Sequence, residues 1–250
     1  LIHAVEAGPN PERGEVAADR LRDLVPISGH LVHMPSHIDV QTGKWSLAAD
    51  QNMKAIEADR RYRRISPTQG FYNIYMAHDH HFLSFAAMME ARRKVALRAA
   101  RDMIANVPEE FLASSAPFID PYMAIEYDVL KRFGLWEEIL KTSAPRSDLP
   151  VTTCMWRFSR GVALAALGRV DEAVREHAVF REAVSRLPDG AMMAINPAAD
   201  VLAIADHVLL GEIAFRRGEI DSAVSHLRQA ADREDKLVYI FGRDGVLLGG

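Results

Sequence analysis

The sequence has one cysteine, no apolar run approaching the roughly 20 residues of a membrane helix, and almost no stretch alternating apolar with polar residues. Each absence excludes something. A lone Cys154 rules out an internal disulfide framework and the cysteine-rich zinc modules. With no activating partner nearby in sequence, it reads as a small buried hydrophobe. The cysteine usage suits a reducing compartment, so a cytoplasmic location is expected, although a helical protein without disulfides also tolerates export. A net charge of −4 sets up no strong field toward nucleic acid or anionic lipid, so neither is expected as a partner. There is no phosphate loop, nucleophile elbow or dinucleotide fingerprint. The chain opens on Leu1, without an initiator methionine or a signal-like segment, and reads as an internal piece of something longer.

What is present is a pattern. Of the 250 residues 49% are hydrophobic and 26% charged, an ordinary composition able to bury a large core. Gly43-Lys44-Trp45-Ser46-Leu47-Ala48 recurs in form at Gly134–Ile139, Gly168–Ala173 and Gly218–Ala223. Each copy has a glycine, a large apolar residue two positions on, and a small or apolar residue three further. A weaker copy without the glycine runs from Ala91 through Arg93 to Ala96. The glycine ends one helix in a left-handed conformation, and the next residues open a second helix that packs back on the first. Gly161 and Gly211 lie seven residues before their turn glycines, where a missing side chain lets two helices approach. Ala55, Phe180 and Ala230 lie twelve residues after theirs.

These features resemble tetratricopeptide repeats, and the resemblance implies an all-α solenoid of stacked antiparallel helix hairpins in a right-handed superhelix. The expectation is one helical-repeat domain over residues 1–238 with about five hairpins, turning near 43, 91, 134, 168 and 218, and an irregular tail at 239–250. The turns are 48, 43, 34 and 50 residues apart, so most repeats carry inserts. Ser66-Pro67-Thr68-Gln69, Asp120-Pro121 and Asn196-Pro197 each read as a helix start, with a capping side chain followed by proline at N1.

Seven of the ten histidines fall in the first 81 residues. His30, His33 and His37 in "GHLVHMPSHI" share one helix face, and His33 with His37 has the i,i+4 spacing that lets two imidazoles reach one ion. In "MAHDHHFL", His78 and His81 are an i,i+3 pair, while His80 points elsewhere. His3 and Glu6 are a further i,i+3 pair of ligand type. No carboxylate lies between His33 and His37, so this is not the H-E-x-x-H of a zinc protease. Pro35 either opens a helix, leaving His30 and His33 in a loop, or kinks a continuous one; a helix start is the less costly reading. Phe71, Tyr72, Tyr75, Phe82 and Phe85 surround the second cluster as core or as the wall of an apolar pocket. The basic runs Arg60–Arg64 and Arg92–Arg101 read as solvated helix faces. His177 and His207 read as hydrogen-bonded structural histidines.

From about Ile2 to Tyr239 the chain resembles a family of bacterial tetratricopeptide-repeat proteins with an H-[MV]-P-[SA]-H segment before a repeat turn, specifically around residues 2–59 and generically in the later repeats. Members carry Tyr-Pro-His-Asn-x-His-Phe-Leu where this chain has Met76–Leu83, which puts the family histidines on His78 and His81. The resemblance implies a fold and hardly an activity. Two functions stay open. One is an interaction module whose concave groove takes a protein or peptide, or a small ligand near the histidines. The other is a metal-binding protein or metalloenzyme. Its ligands would be His33, His37, His78 and His81, with His3 and Glu6 as further ligands or their supports. The ion would be a divalent transition metal such as zinc, copper or iron. Catalysis would need an open coordination position, with Glu6 or Asp79 as acid or base. The catalytic residues, and whether there is a reaction at all, stay open.

Overall fold

A computed structural model describes residues 1–238; the tail read as irregular, 239–250, lies outside the described residues. Among the described residues the fold is all-α helical repeat. The exception to helix and turn is a two-residue antiparallel pairing of Met192–Met193 with Asn196–Pro197. The chain divides into two compact units, residues 1–115 and 116–238. The division falls at Ser115, inside α8 (Glu109–Ile119), where the backbone leaves the helical region (φ −127, ψ 18).

The first unit holds α1 (Ile2–Val5), α2 (Glu15–Leu21), α3 (Gly29–His33), α4 (Ser36–Gln41), α5 (Trp45–Ile65), α6 (Asn73–Met89) and α7 (Arg93–Asn106). The second holds α9 (Ile125–Arg132), α10 (Trp136–Lys141), α11 (Pro150–Ala166), α12 (Val170–Ser185), α13 (Ala198–Arg216) and α14 (Ile220–Glu234). Helix pairs α4–α5, α6–α7, α9–α10, α11–α12 and α13–α14 are joined by one repeated turn. Gly43, Ala91, Gly134, Gly168 and Gly218 all take positive φ, between 57° and 78°. In each turn the next residue's N–H reaches back to the carbonyl five residues earlier, as in Lys44 to Asp39 (2.7 Å), Arg92 to Ala87 (2.8 Å) and Glu219 to Ala214 (3.0 Å). This Schellman closure satisfies carbonyls the helix end would strand. Ala91 holds the same geometry with a Cβ.

The close approaches are real. A Cβ on Gly161 would meet Leu209 Cδ2 at 2.6 Å, and one on Gly211 would meet Leu227 Cγ at 2.9 Å. Ala55, Phe180 and Ala230 are buried. The second unit's core runs through Met155, Phe158, Phe180, Leu202 and Leu209, with the Phe158 and Phe180 rings 6.3 Å apart. Truncating either ring to alanine costs about 3–5 kcal/mol. Cys154 is fully buried, as expected of a small hydrophobe, and burial pushes its thiol up to about 12. His177 Nε2 lies 2.7 Å from Asp206 Oδ1, a structural pair. The basic runs are mostly solvated, as in Arg61 with Glu57 and Arg98 with Asp102.

The expected capping is corrected at three places, although α13 does start at Ala198, directly after Asn196-Pro197. Gln69 turns back to donate to the Ser66 carbonyl, and residues 66–69 stay outside any helix; a 3-10 segment at Gly70–Tyr72 follows, and α6 waits until Asn73. Asp120 opens only a 3-10 segment. Its carboxylate accepts from the N–H groups of Val151 and Thr152 (both 2.8 Å), capping α11 instead. Asn196 sits in the strand pairing, and its side chain bonds both backbone groups of Val238. In the last two cases a tertiary partner outcompetes the local cap.

Candidate metal centre

The site is built on α1, α3, α4, α5 and α6 of the first unit. Met34 and Pro35 keep helical dihedrals (φ −47, ψ −39 and φ −57, ψ −30), so α3 runs into α4 with no loop between. His30 and His33 are therefore helical, contrary to the helix-start reading of Pro35. The hydrogen-bond ladder nevertheless breaks there. Met34 N–H closes α3 on His30, Ile38 and Asp39 restart from the Pro35 carbonyl, and Ser36 Oγ donates to the His33 carbonyl at 2.7 Å. Gly29 is required by crowding, since a Cβ there would meet the Asp59 carboxylate at 2.0 Å.

His33 and His37 are fully buried, with their Nε2 atoms 2.9 Å apart. The other nitrogen of His33 fixes its tautomer. Asn52 Nδ2 donates to the Ala48 carbonyl (2.8 Å), so the Asn52 oxygen, 2.7 Å from His33 Nδ1, must accept. His33 Nδ1 therefore carries the hydrogen. His37 Nδ1 lies 2.6 Å from Glu6 Oε2, an ion-pair contact that sets a negative oxygen beside that nitrogen. In their neutral forms two imidazoles so arranged present facing Nε2 lone pairs, an arrangement that a shared proton or a metal ion between them reconciles.

His78 completes the group. One nitrogen from each of His33, His37 and His78 lies within 4.8 Å of the others, and the His33 and His78 ring centroids are 4.7 Å apart. Burial, then the charge of His37, holds His33 and His78 well below the usual imidazole range, so they stand neutral as ligands must. Phe82 packs on all three rings at 4.7–4.8 Å, giving the site an apolar wall.

Two further groups share these residues. His3, Glu6 and His37 form one, with His3 Nδ1 2.5 Å from Glu6 Oε1; His30, His33 and Asp79 form the other. Burial pushes the Glu6 carboxyl up, but hydrogen bonds and charge from His37 and His3 outweigh it and hold it low. Asp79, by contrast, is pushed well up by burial and by the neighbouring Asp59 charge, which favours its neutral acid. Among the described residues His81 belongs to none of these groups, whereas His30 does. Burial alone lowers His81 to about 4.

A family model for the tetratricopeptide repeat matches residues 156–176 and 207–229, segments that span the turns at Gly168 and Gly218. The chain contains tetratricopeptide repeats. Neither a curated protein nor a solved structure gives a significant match. Tetratricopeptide repeats generally mediate protein–protein interaction, which supports an interaction module. Among the described residues no helix is long and apolar enough to cross a membrane.

Reading the sequence missed Asn52, Ser36 and Asp59. A signal was available for two of them. Ala48, Asn52, Ala55 and Asp59 recur at i, i+4, i+7 and i+11, and all four are buried. Two polar residues in an alanine stripe imply partners across the helix interface.

Proposed function

We propose that the N-terminal unit of this tetratricopeptide-repeat protein binds a divalent transition metal ion through His33, His37 and His78. The observation that carries the reading is the pair of Nε2 lone pairs 2.9 Å apart, both Nδ1 atoms being already engaged. At metal–nitrogen distances of about 2.05 Å that separation corresponds to an N–metal–N angle of about 90°, and a modest opening reaches the tetrahedral value. A shared proton would need only two imidazoles; the third, His78, favours a metal. Glu6 and Asn52 orient the rings of His37 and His33 from behind, as carboxylates and amides do around metal-bound histidines. His3 supports Glu6. An all-imidazole set without thiolate suits zinc, copper or iron.

Elemental analysis of the purified full chain tests this. Close to one equivalent of zinc, copper or iron is expected, lost in His37→Ala and retained in His81→Ala. No metal in the parent chain, or full metal in His37→Ala, overturns it.

A second reading concerns the C-terminal unit: its repeats dock a protein partner. Ile220, Val224 and Leu227 share one face of α14 and stay 41–52% exposed, apolar surface of the kind interfaces cover. Replacing Val224 with glutamate would abolish capture of such a partner without lowering metal content.

A further inference from the structure

Helices α5, α6 and α7 enclose a cleft of about 290 Å³ in the same unit. His80 follows His78 by two residues, about 200° round the helix, and so lines this cleft and not the histidine cluster. The floor is apolar, with Ile56, Met76 and Met103; the rim carries Arg60, Arg63 and Arg64.

Arg63 is the decisive residue. Its half-buried guanidinium donates to the Asn106 carbonyl and Asn73 Oδ1, both at 3.4 Å, and to Met76 Sδ at 3.0 Å. All three partners are neutral, and the two oxygens lie at the long limit of a hydrogen bond. Asp59 lines the same cleft and faces Tyr72 and Asp79, so it offers Arg63 charge at a distance without an ion pair. Arg60 reaches Asp102 only at 3.7 Å. His80 is 8% exposed, and its Nδ1 takes no hydrogen bond from the protein. A planar cation short of acceptors, two more cations at the rim, an apolar floor and an unused buried ring nitrogen make a site with a definite complement.

We infer that this cleft binds a small organic carboxylate with a compact apolar body, its carboxylate on Arg63 and its apolar part against Met76 and Met103. The guanidinium fork matches a carboxylate in the bidentate mode, and Asp59 in the same cleft disfavours a doubly charged phosphate. The His80 Nδ1, unused by the protein, suits a ligand hydroxyl. The volume sits at the small end of ligand sites, enough for a ring or a branched chain.

The test is nuclear magnetic resonance of the full chain carrying ¹³C-labelled methionine methyls, with 4-hydroxybenzoate, benzoate and benzamide as probes. The Met76 and Met103 methyls should shift saturably with both carboxylates, most tightly with 4-hydroxybenzoate, while exposed Met53 stays still. Arg63→Gln should weaken binding at least about tenfold, the loss expected for one charge-assisted hydrogen bond, and Arg63→Lys should weaken it less. Should Arg63→Gln misfold, Arg64→Gln at the exposed rim should still weaken binding a few-fold. Unmoved Met76 and Met103 signals, an equal response to benzamide, or binding indifferent to Arg63→Gln and Arg64→Gln would overturn the assignment.

Discussion

His33 and His37 face each other through Nε2 atoms 2.9 Å apart, while Asn52 Oδ1 stands 2.7 Å from His33 Nδ1 and Glu6 Oε2 stands 2.6 Å from His37 Nδ1. The relation makes Asn52 a positioning residue, because its oxygen sets the His33 tautomer. Asn52→Leu should therefore weaken zinc affinity by about 10- to 100-fold, the usual effect of removing a group that orients a metal-bound histidine. Competition against a chromophoric chelator measures it. Unchanged affinity would show that the tautomer is set elsewhere.

Gly161 faces Leu209, where a Cβ would come within 2.6 Å of Cδ2 in a fully buried setting. Gly161→Ala should cost about 1–3 kcal/mol by overpacking. Leu209→Val in the same background removes the clashing methyl and should return part of the loss. Urea denaturation of both variants checks it, and a neutral Gly161→Ala would contradict the close approach.

Ala91 holds the left-handed turn that glycine fills at the other four hairpins, with φ 57°. Relief of that strain exceeds the added freedom of the unfolded chain, so Ala91→Gly should stabilise the protein by about 0.5–1 kcal/mol. Thermal unfolding reads the sign directly.

Asp206 supplies a pH dependence. Burial pushes its carboxyl up, but the hydrogen bond and charge of His177, with Arg181 and His207, bring it below the usual range. A carboxyl more acidic in the folded state binds fewer protons there than in the unfolded chain. Its contribution is thus present above the ordinary aspartate range and lost as pH falls through it. The melting temperature of the parent should exceed that of Asp206→Asn at neutral pH, and the two should converge in acid. A difference that persists in acid would contradict the pairing.

Much of this was legible in the sequence, because a left-handed helix end demands glycine. Gly43, Gly134, Gly168 and Gly218 announce their turns, and the one at Ala91 shows only as a weaker copy without the glycine. The convergence of His33, His37 and His78 follows from helical spacing on neighbouring elements. His81 did not follow, since i and i+3 positions lie about 60° apart, enough for packing to take one residue into the cluster and leave the other out. The caps at Ser66, Asp120 and Asn196 were misread for another reason. The Ser66 carbonyl accepts from the Gln69 side chain, while the Asp120 and Asn196 side chains found partners at Val151 and Thr152 and at Val238, choices that local sequence does not encode. The cleft around Arg63 was equally hidden, because an arginine run on a helix looks the same whether solvated or facing a neighbour.

X-ray absorption at the zinc edge of the zinc-loaded chain tests the central claim most directly. The account expects about three imidazole nitrogens at about 2.0–2.1 Å, with the imidazole scattering reduced in His33→Ala and in His78→Ala. Zinc that fails to load, or a spectrum with one imidazole or none, would contradict it.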